Sequence, residues 1–167
     1  MTEDMEIMKQ FEIYIAAQRA TGMQIIIFGV ALLLAAILLH FSQLNPITQG
    51  LRNSFLVISI LLLVSGIGFV VNQKSLLKTK TEIYQADPSE FKNQEVERME
   101  GVNKSVPKII LGLSIVLTII LLVLILWIKQ PLWRGVSYGI SIYFLGLLIV
   151  ESISYLSVKT YLNALLN

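Results

Sequence analysis

Hydrophobic residues in this chain gather into four long stretches instead of alternating with polar ones. The stretches cover residues 23–41, 54–71, 109–128 and 136–155. Each approaches the roughly 20 residues that an α-helix needs to cross about 30 Å of hydrocarbon. Open strands are excluded, because their edges would leave backbone amides unpaired in lipid. The pattern therefore predicts an all-α integral membrane protein built as a four-span helical bundle.

Composition supports this assignment and removes several kinds of chemistry. Of the 167 residues, 55% are hydrophobic and 14% are charged, whereas soluble domains are about 25% charged. A net charge of +2 is too small for a nucleic-acid-binding surface. The chain has no cysteine, which excludes disulfides and thiolate metal sites. Without a phosphate loop, nucleophile–base pair or cofactor motif, we expect neither an enzyme nor a cofactor or metal site.

The placement of Lys and Arg predicts the orientation of the spans. The two tails and the long middle segment hold ten of the 13 basic residues, and the two short connections hold Arg52, Lys129 and Arg134. Basic residues are retained on the cytoplasmic side. Both termini should therefore be cytoplasmic, in the inner membrane of a bacterium. Trp127 and Trp133 flank the second short connection, as interfacial anchors do.

The two predicted hairpins resemble each other at an offset of 85 residues. Pro46 and Gly50 in the first short connection correspond to Pro131 and Gly135 in the second. Two interpretations stay open. Either an α-hairpin with a preceding cytoplasmic helix has been duplicated, or any two such hairpins need a turn and basic flanks at these places.

The chain divides into five predicted segments. These are an N-terminal amphipathic cytoplasmic helix (1–22), a first transmembrane hairpin (23–71), a cytoplasmic helical loop (72–108), a second transmembrane hairpin (109–155) and a cytoplasmic C-terminal helix end (156–167). Within the loop, Asp87-Pro88-Ser89-Glu90 predicts a helix start, with an N-cap acceptor followed by Pro at the first helical position. This helix should run to about Val102, and Pro107 should kink the chain before the third span.

The N-terminal helix carries an apolar stripe, which we interpret as a surface for a protein partner. Its acidic first turn is unsuited to an anionic lipid surface. The later cytoplasmic helix has a weaker stripe that Glu95 and Arg98 interrupt, which favours a solvated extension of the bundle, with a docking surface for a cytoplasmic partner as the alternative. The residues of the N-terminal stripe, at helical spacing, are Ile7, Met8, Phe11, Tyr14 and Ile15.

Glu151 is the one acidic residue within a predicted span. Counted from Arg134 at 1.5 Å per residue, it lies roughly 25 Å from the outer boundary, near the inner edge of the hydrocarbon. An acid at that depth favours an ion pair with Lys108 or Lys74, although intramembrane acids also serve as ion or proton sites.

Small residues give the fourth span a face for close helix packing, made of Gly135, Gly139 and Gly146. Together these features predict a non-catalytic multi-pass protein that acts by protein–protein contact, as an accessory, assembly or immunity-type subunit. Its partners would be the lipid bilayer and a membrane or cytoplasmic protein, with homo-oligomers left open and no nucleic acid. The alternative is an oligomeric small transporter or channel that uses Glu151.

Overall fold

Four long α-helices make up almost all of the described chain. The computed structural model describes residues 2–42 and 45–166, with side chains from residue 5 onward. All four helices are long and apolar enough to cross a membrane, which confirms the predicted all-α architecture. They are α1 (Thr2–His40), α2 (Pro46–Ala86), α3 (Pro88–Leu126) and α4 (Pro131–Leu166).

Each helix is much longer than a membrane is thick. The lengths of 36 to 41 residues correspond to roughly 54–62 Å, against about 30 Å of hydrocarbon. The surplus lies at the end that holds both chain termini and the α2–α3 turn. We call this end the terminal half (residues 5–21, 72–106 and 154–166). The remainder is the span half (residues 22–42, 45–71 and 107–153).

Segments that were predicted as separate are continuous helices. The described part of the predicted helix 1–22 runs into the first span without a break, and the predicted loop 72–108 is helical on both sides of Asp87. The helix that was expected to end near Val102 continues through Pro107 to Leu126. Pro107 lacks only the N–H that would bond to the Asn103 carbonyl, so the remaining bonds keep the two segments in one helix.

A single non-helical residue, Asp87, joins α2 to α3. Its side-chain oxygen accepts hydrogen bonds from the Ser89 and Glu90 amides at 2.9 and 3.1 Å. Its own amide donates to the Ile83 carbonyl at 2.9 Å. The predicted helix start is therefore confirmed, and the same residue closes the end of α2. So short a turn makes α2 and α3 antiparallel neighbours.

In the terminal half, all four helices share one apolar core. The rings of Phe11 on α1 and Phe91 on α3 meet edge to face with their centroids 5.4 Å apart. Both rings are fully buried, as offset or edge-on aromatic pairs in cores tend to be. The other buried members of this core are Ile7, Tyr14, Ile15, Met99, Val158, Tyr161, Leu162 and Leu165.

In the span half, the core involves three helices, because α3 stands at the edge. Partly buried residues of α4 pack against a buried group from α1 and α2. The buried residues are Leu32 and Ala36 of α1 and Phe55, Ile58 and Leu62 of α2. On the spanning part of α3, one stripe is half-buried and Leu124 alone is buried. The third span therefore has the greatest share of its surface facing outward.

Candidate functional site

A fully buried carboxylate lies in the terminal half, at the centre of a cluster of polar side chains. The Glu95 side chain on α3 has no exposed surface. Arg98, one turn further on α3, binds both of its oxygens, with Nε–Oε1 at 3.0 Å and Nη2–Oε2 at 2.7 Å. Lys80 reaches Oε1 from α2, with its Nζ at 3.2 Å. From α4, the Tyr161 hydroxyl donates to Oε2 at 3.4 Å.

Aromatic rings connect this ion cluster to the helices on the other side. Tyr14 of α1 stacks on Tyr161 of α4 with a centroid separation of 4.8 Å. The Arg98 guanidinium lies over the Tyr14 ring, 5.5 Å from its centroid, within the range of a cation–π interaction. Each of the four helices thus contributes a side chain to one network around Glu95.

The charges of the cluster do not cancel. One carboxylate faces two cations, of which Lys80 and Arg98 keep 12% and 26% of their side-chain surfaces exposed. This partial exposure lets water stabilise the second positive charge, while the carboxylate itself depends on its partners. A carboxylate buried without them would cost several kcal/mol, so these partners offset the cost of burying Glu95 in the core.

Burial and the neighbouring charges shift the pKa values of Tyr14, Arg98 and Tyr161. Burial, followed by repulsion from the Glu95 carboxylate, raises the pKa of Tyr161 well above its usual range. Burial likewise raises the pKa of Tyr14. Burial alone would lower the pKa of Arg98, but the hydrogen bonds and attraction to Glu95 outweigh it and raise that pKa. All three shifts move the pKa values further from physiological pH, so both tyrosines stay neutral and Arg98 stays charged there.

A layer of uncharged polar residues separates this cluster from the spans. The Gln18 amide donates to the Ser157 hydroxyl at 2.9 Å and accepts from Ser154 at 3.3 Å, which ties α1 to α4. The Tyr155 hydroxyl donates to Asn103 at 3.0 Å, which ties α4 to α3. Such neutral pairs suit the level at which the helices enter the apolar half, since no charge has to be desolvated there.

The structure does not bring Glu151 together with either predicted lysine. Among the described residues, Glu151 forms no ion pair, and Lys74 and Lys108 are both exposed. Glu151 is half-buried, one turn before Tyr155, which contacts α3. Because residues four apart share a helix face, Glu151 lies on the side of α4 that faces α3.

The predicted glycine face of α4 lies against the chain's own helices. A Cβ atom on Gly135 would collide with the Ile47 carbonyl oxygen, and one on Gly50 with the Leu132 carbonyl oxygen, so α2 and α4 touch backbone to backbone. Further along α4, Gly139 faces Ser54 of α2 and Gly146 faces the Phe28 ring of α1. A Cβ atom at either glycine would collide with these side chains.

The apolar stripe of the N-terminal helix is covered by the protein itself. Ile7, Phe11, Tyr14 and Ile15 are buried in the core of the terminal half, and Met8 packs against it. The stripe was interpreted as a partner surface because a single chain's sequence does not show what covers an apolar face. In this structure residues of α2, α3 and α4 pack in the same core and supply that cover.

The ion cluster is the part of the site that sequence reasoning missed. Glu95 and Arg98 were interpreted as solvated interruptions of a weak stripe, since isolated charges rarely occupy a core. The available signal was register: Glu95 lies four residues from both Phe91 and Met99, so all three share one face of the helix. Lys80 and Tyr161 come from other helices, and nothing local connects them to Glu95.

Comparison with protein-family models, with curated proteins and with solved structures gives no match.

Proposed function

We propose that this chain is a non-catalytic multi-pass membrane protein that acts by protein–protein contact, as an accessory, assembly or immunity-type subunit. The observation that carries the proposal is the terminal half. It is a four-helix module with a core of its own, and the buried charges of that core serve its own packing. A module of this kind, projecting from the spans, suits recognition of another protein.

The same proposal places the terminal half in the cytoplasm, at the inner membrane of a bacterium. Ten basic residues at the terminal end, against three at the other, support this orientation. The chain is free of cysteine, so one introduced cysteine reports cleanly to an impermeant thiol reagent. In intact cells we expect labelling of Gln130→Cys and no labelling of Glu97→Cys. The reverse labelling pattern would show that the terminal half lies outside the cytoplasm.

We further propose that the two hairpins are duplicated copies related by a pseudo-two-fold axis along the bundle. Gly50 meets Leu132, and Gly135 meets Ile47. Each residue of one contact lies 85 positions from its counterpart in the other, as expected when equivalent patches meet across a two-fold axis. The residue 85 positions after Gly66 is Glu151, so the two copies would have diverged at this point. Gly66 lies close against Ile26 of α1, where a Cβ atom would collide.

Photo-crosslinking in cells tests the contact function. A benzophenone side chain would replace Ile13, which is 53% exposed in the terminal half, or Ile125, which is 75% exposed in the third span. We expect discrete protein adducts from position 13 and lipid adducts from position 125. If position 13 and the exposed position 97 gave no protein adduct, the proposal would fail.

The alternative, an oligomeric small transporter or channel, is favoured by one observation. Glu151 is a half-buried acid in a span, without an ion-pair partner among the described residues. A coupling acid must gain and lose its charge, so Glu151→Gln would abolish flux while the fold stays intact. Proton or cation flux in proteoliposomes of the wild type, lost in a folded Glu151→Gln variant, would favour the transporter over the contact function.

A further inference from the structure

A cavity at the far end of the span half plays no part in the proposed function. It lies at the α3–α4 connection, has a volume of about 400 Å³, and is lined by Trp127, Ile128, Lys129, Gln130 and Trp133. The apolar run of the third span ends at Ile128. Lys129 and Gln130 therefore stand where hydrocarbon gives way to lipid headgroups, the level at which tryptophan side chains concentrate.

An apolar groove continues from this cavity along the third span. Its volume is about 210 Å³, and aliphatic side chains of α3, including Ile119 and Leu122, line it. Trp127 borders both the groove and the cavity, so the two spaces are neighbours. The combination is a narrow apolar groove beside the third span and a wider space at its end, where Lys129 and Gln130 join two tryptophans in the lining.

The charges at this end of the bundle are all positive. Residues 42–53 and 127–135 contain Arg52, Lys129 and Arg134 but no Asp or Glu. Arg134 donates to the Ile128 carbonyl at 2.9 Å, and Arg52 donates to Asn53. Lys129 is exposed and has no acidic partner in the described part of the chain. A ligand in the cavity would therefore supply the missing negative charge.

We propose that the cavity and the groove together bind an anionic phospholipid. One acyl chain lies in the groove on α3, and the phosphate pairs with the Lys129 ammonium, with Gln130 as a further hydrogen-bond donor. A zwitterionic headgroup fits less well, because its ammonium would face cations and find no carboxylate. Free phosphate would leave the apolar groove without an occupant.

The chain offers a direct reporter for this site. Its two tryptophans, Trp127 and Trp133, both line the cavity, so all tryptophan fluorescence comes from it. The protein would be reconstituted in phosphatidylcholine vesicles with a small fraction of lipid brominated on the acyl chain. That fraction would be either phosphatidylglycerol or phosphatidylcholine. We expect the brominated anionic lipid to occupy the site about five times as readily as the brominated zwitterionic lipid, as judged by tryptophan quenching. This is the preference that one lysine near the membrane surface provides.

Two variants separate the site from general membrane charge. Lys129→Gln should bring the preference close to one. Lys104→Gln makes the same charge change on the opposite end of α3, where the side chain is 74% exposed, and should leave the preference unchanged. Equal quenching by both lipids in the wild type, or a preference that survives Lys129→Gln, overturns the proposal. If inorganic phosphate at constant ionic strength removed the preference, the site would belong to a free anion and not to a lipid.

Discussion

The two halves of this bundle are held together by different means. In the terminal half, four helices meet around a fully buried carboxylate that has two cations and a tyrosine as partners. In the span half, α1, α2 and α4 pack through small residues and aliphatic side chains, with α3 outside their core. The terminal half packs around a buried carboxylate and its cations, and the span half packs through close backbone contact.

The proposed placement, with the span half in the membrane and the terminal half projecting from it, accounts for the difference. Outside the membrane, burial of apolar surface drives the association of helices. A buried ion network then favours the one arrangement of helices in which every charged group has its partners. Within lipid, the surroundings are as apolar as the helices, so close backbone contact at small residues drives association instead. The position of α3 shows both effects, because it is central among the charges and peripheral in the spans.

Removal of the Glu95 carboxylate should have the largest effect. Glu95→Ala leaves Lys80 and Arg98 without their shared partner and should lower the free energy of unfolding by about 3–5 kcal/mol. Amide hydrogen exchange in detergent would locate the loss in the terminal half. Glu100→Ala on the same helix removes an exposed pair with Lys104 and should change stability by less than about 1 kcal/mol. Equal effects from the two variants would mean that the ion cluster does not hold this half together.

A single methyl group at the glycine contact should have an intermediate effect. Gly135→Ala places a Cβ against the Ile47 carbonyl oxygen, which is backbone and cannot turn aside, so we expect a loss of about 1–3 kcal/mol. Gly112→Ala on the third span is the matched control. A Cβ there meets nothing within 4 Å, and stability should stay constant or rise. Thermal unfolding in detergent measures both, and similar losses would contradict the peripheral placement of α3.

The smallest expected effect is a dependence on alkaline pH. Burial raises the pKa of Tyr161 in the folded protein, whereas in the unfolded chain it ionises near pH 10. The folded state then binds more protons than the unfolded state above about pH 10, so stability falls as pH rises there. The free energy of unfolding of Tyr161→Phe should differ little from that of the wild type at pH 7. Between pH 9 and 11 it should fall less than that of the wild type. Parallel pH profiles for the two proteins would show that Tyr161 is not desolvated in the ion cluster.

Much of the architecture could be predicted, because membrane spans and caps are local signals. The four apolar stretches, the start of α3 at Asp87 and a packing face at Gly135 and Gly139 follow from residues near each other in the chain. The predicted end of the α3 helix near Val102 was wrong, since the residues on both sides of Pro107 are helical. The residues that cover the N-terminal stripe could not be predicted either, since they come from the other three helices.

The sequence by itself determined that this protein is helical, where its four apolar helices lie and which residues close the α2–α3 turn. These properties depend on hydropathy, backbone hydrogen bonds and capping, all of which act over a few residues. The tertiary structure alone decided that Glu95 is buried, that Glu151 stands apart from Lys74 and Lys108, and that α3 is peripheral in the spans. Those outcomes depend on which helices approach each other closely enough to desolvate a charge or touch at a glycine. Such distances are set by the packing of the whole bundle and by no single segment of it.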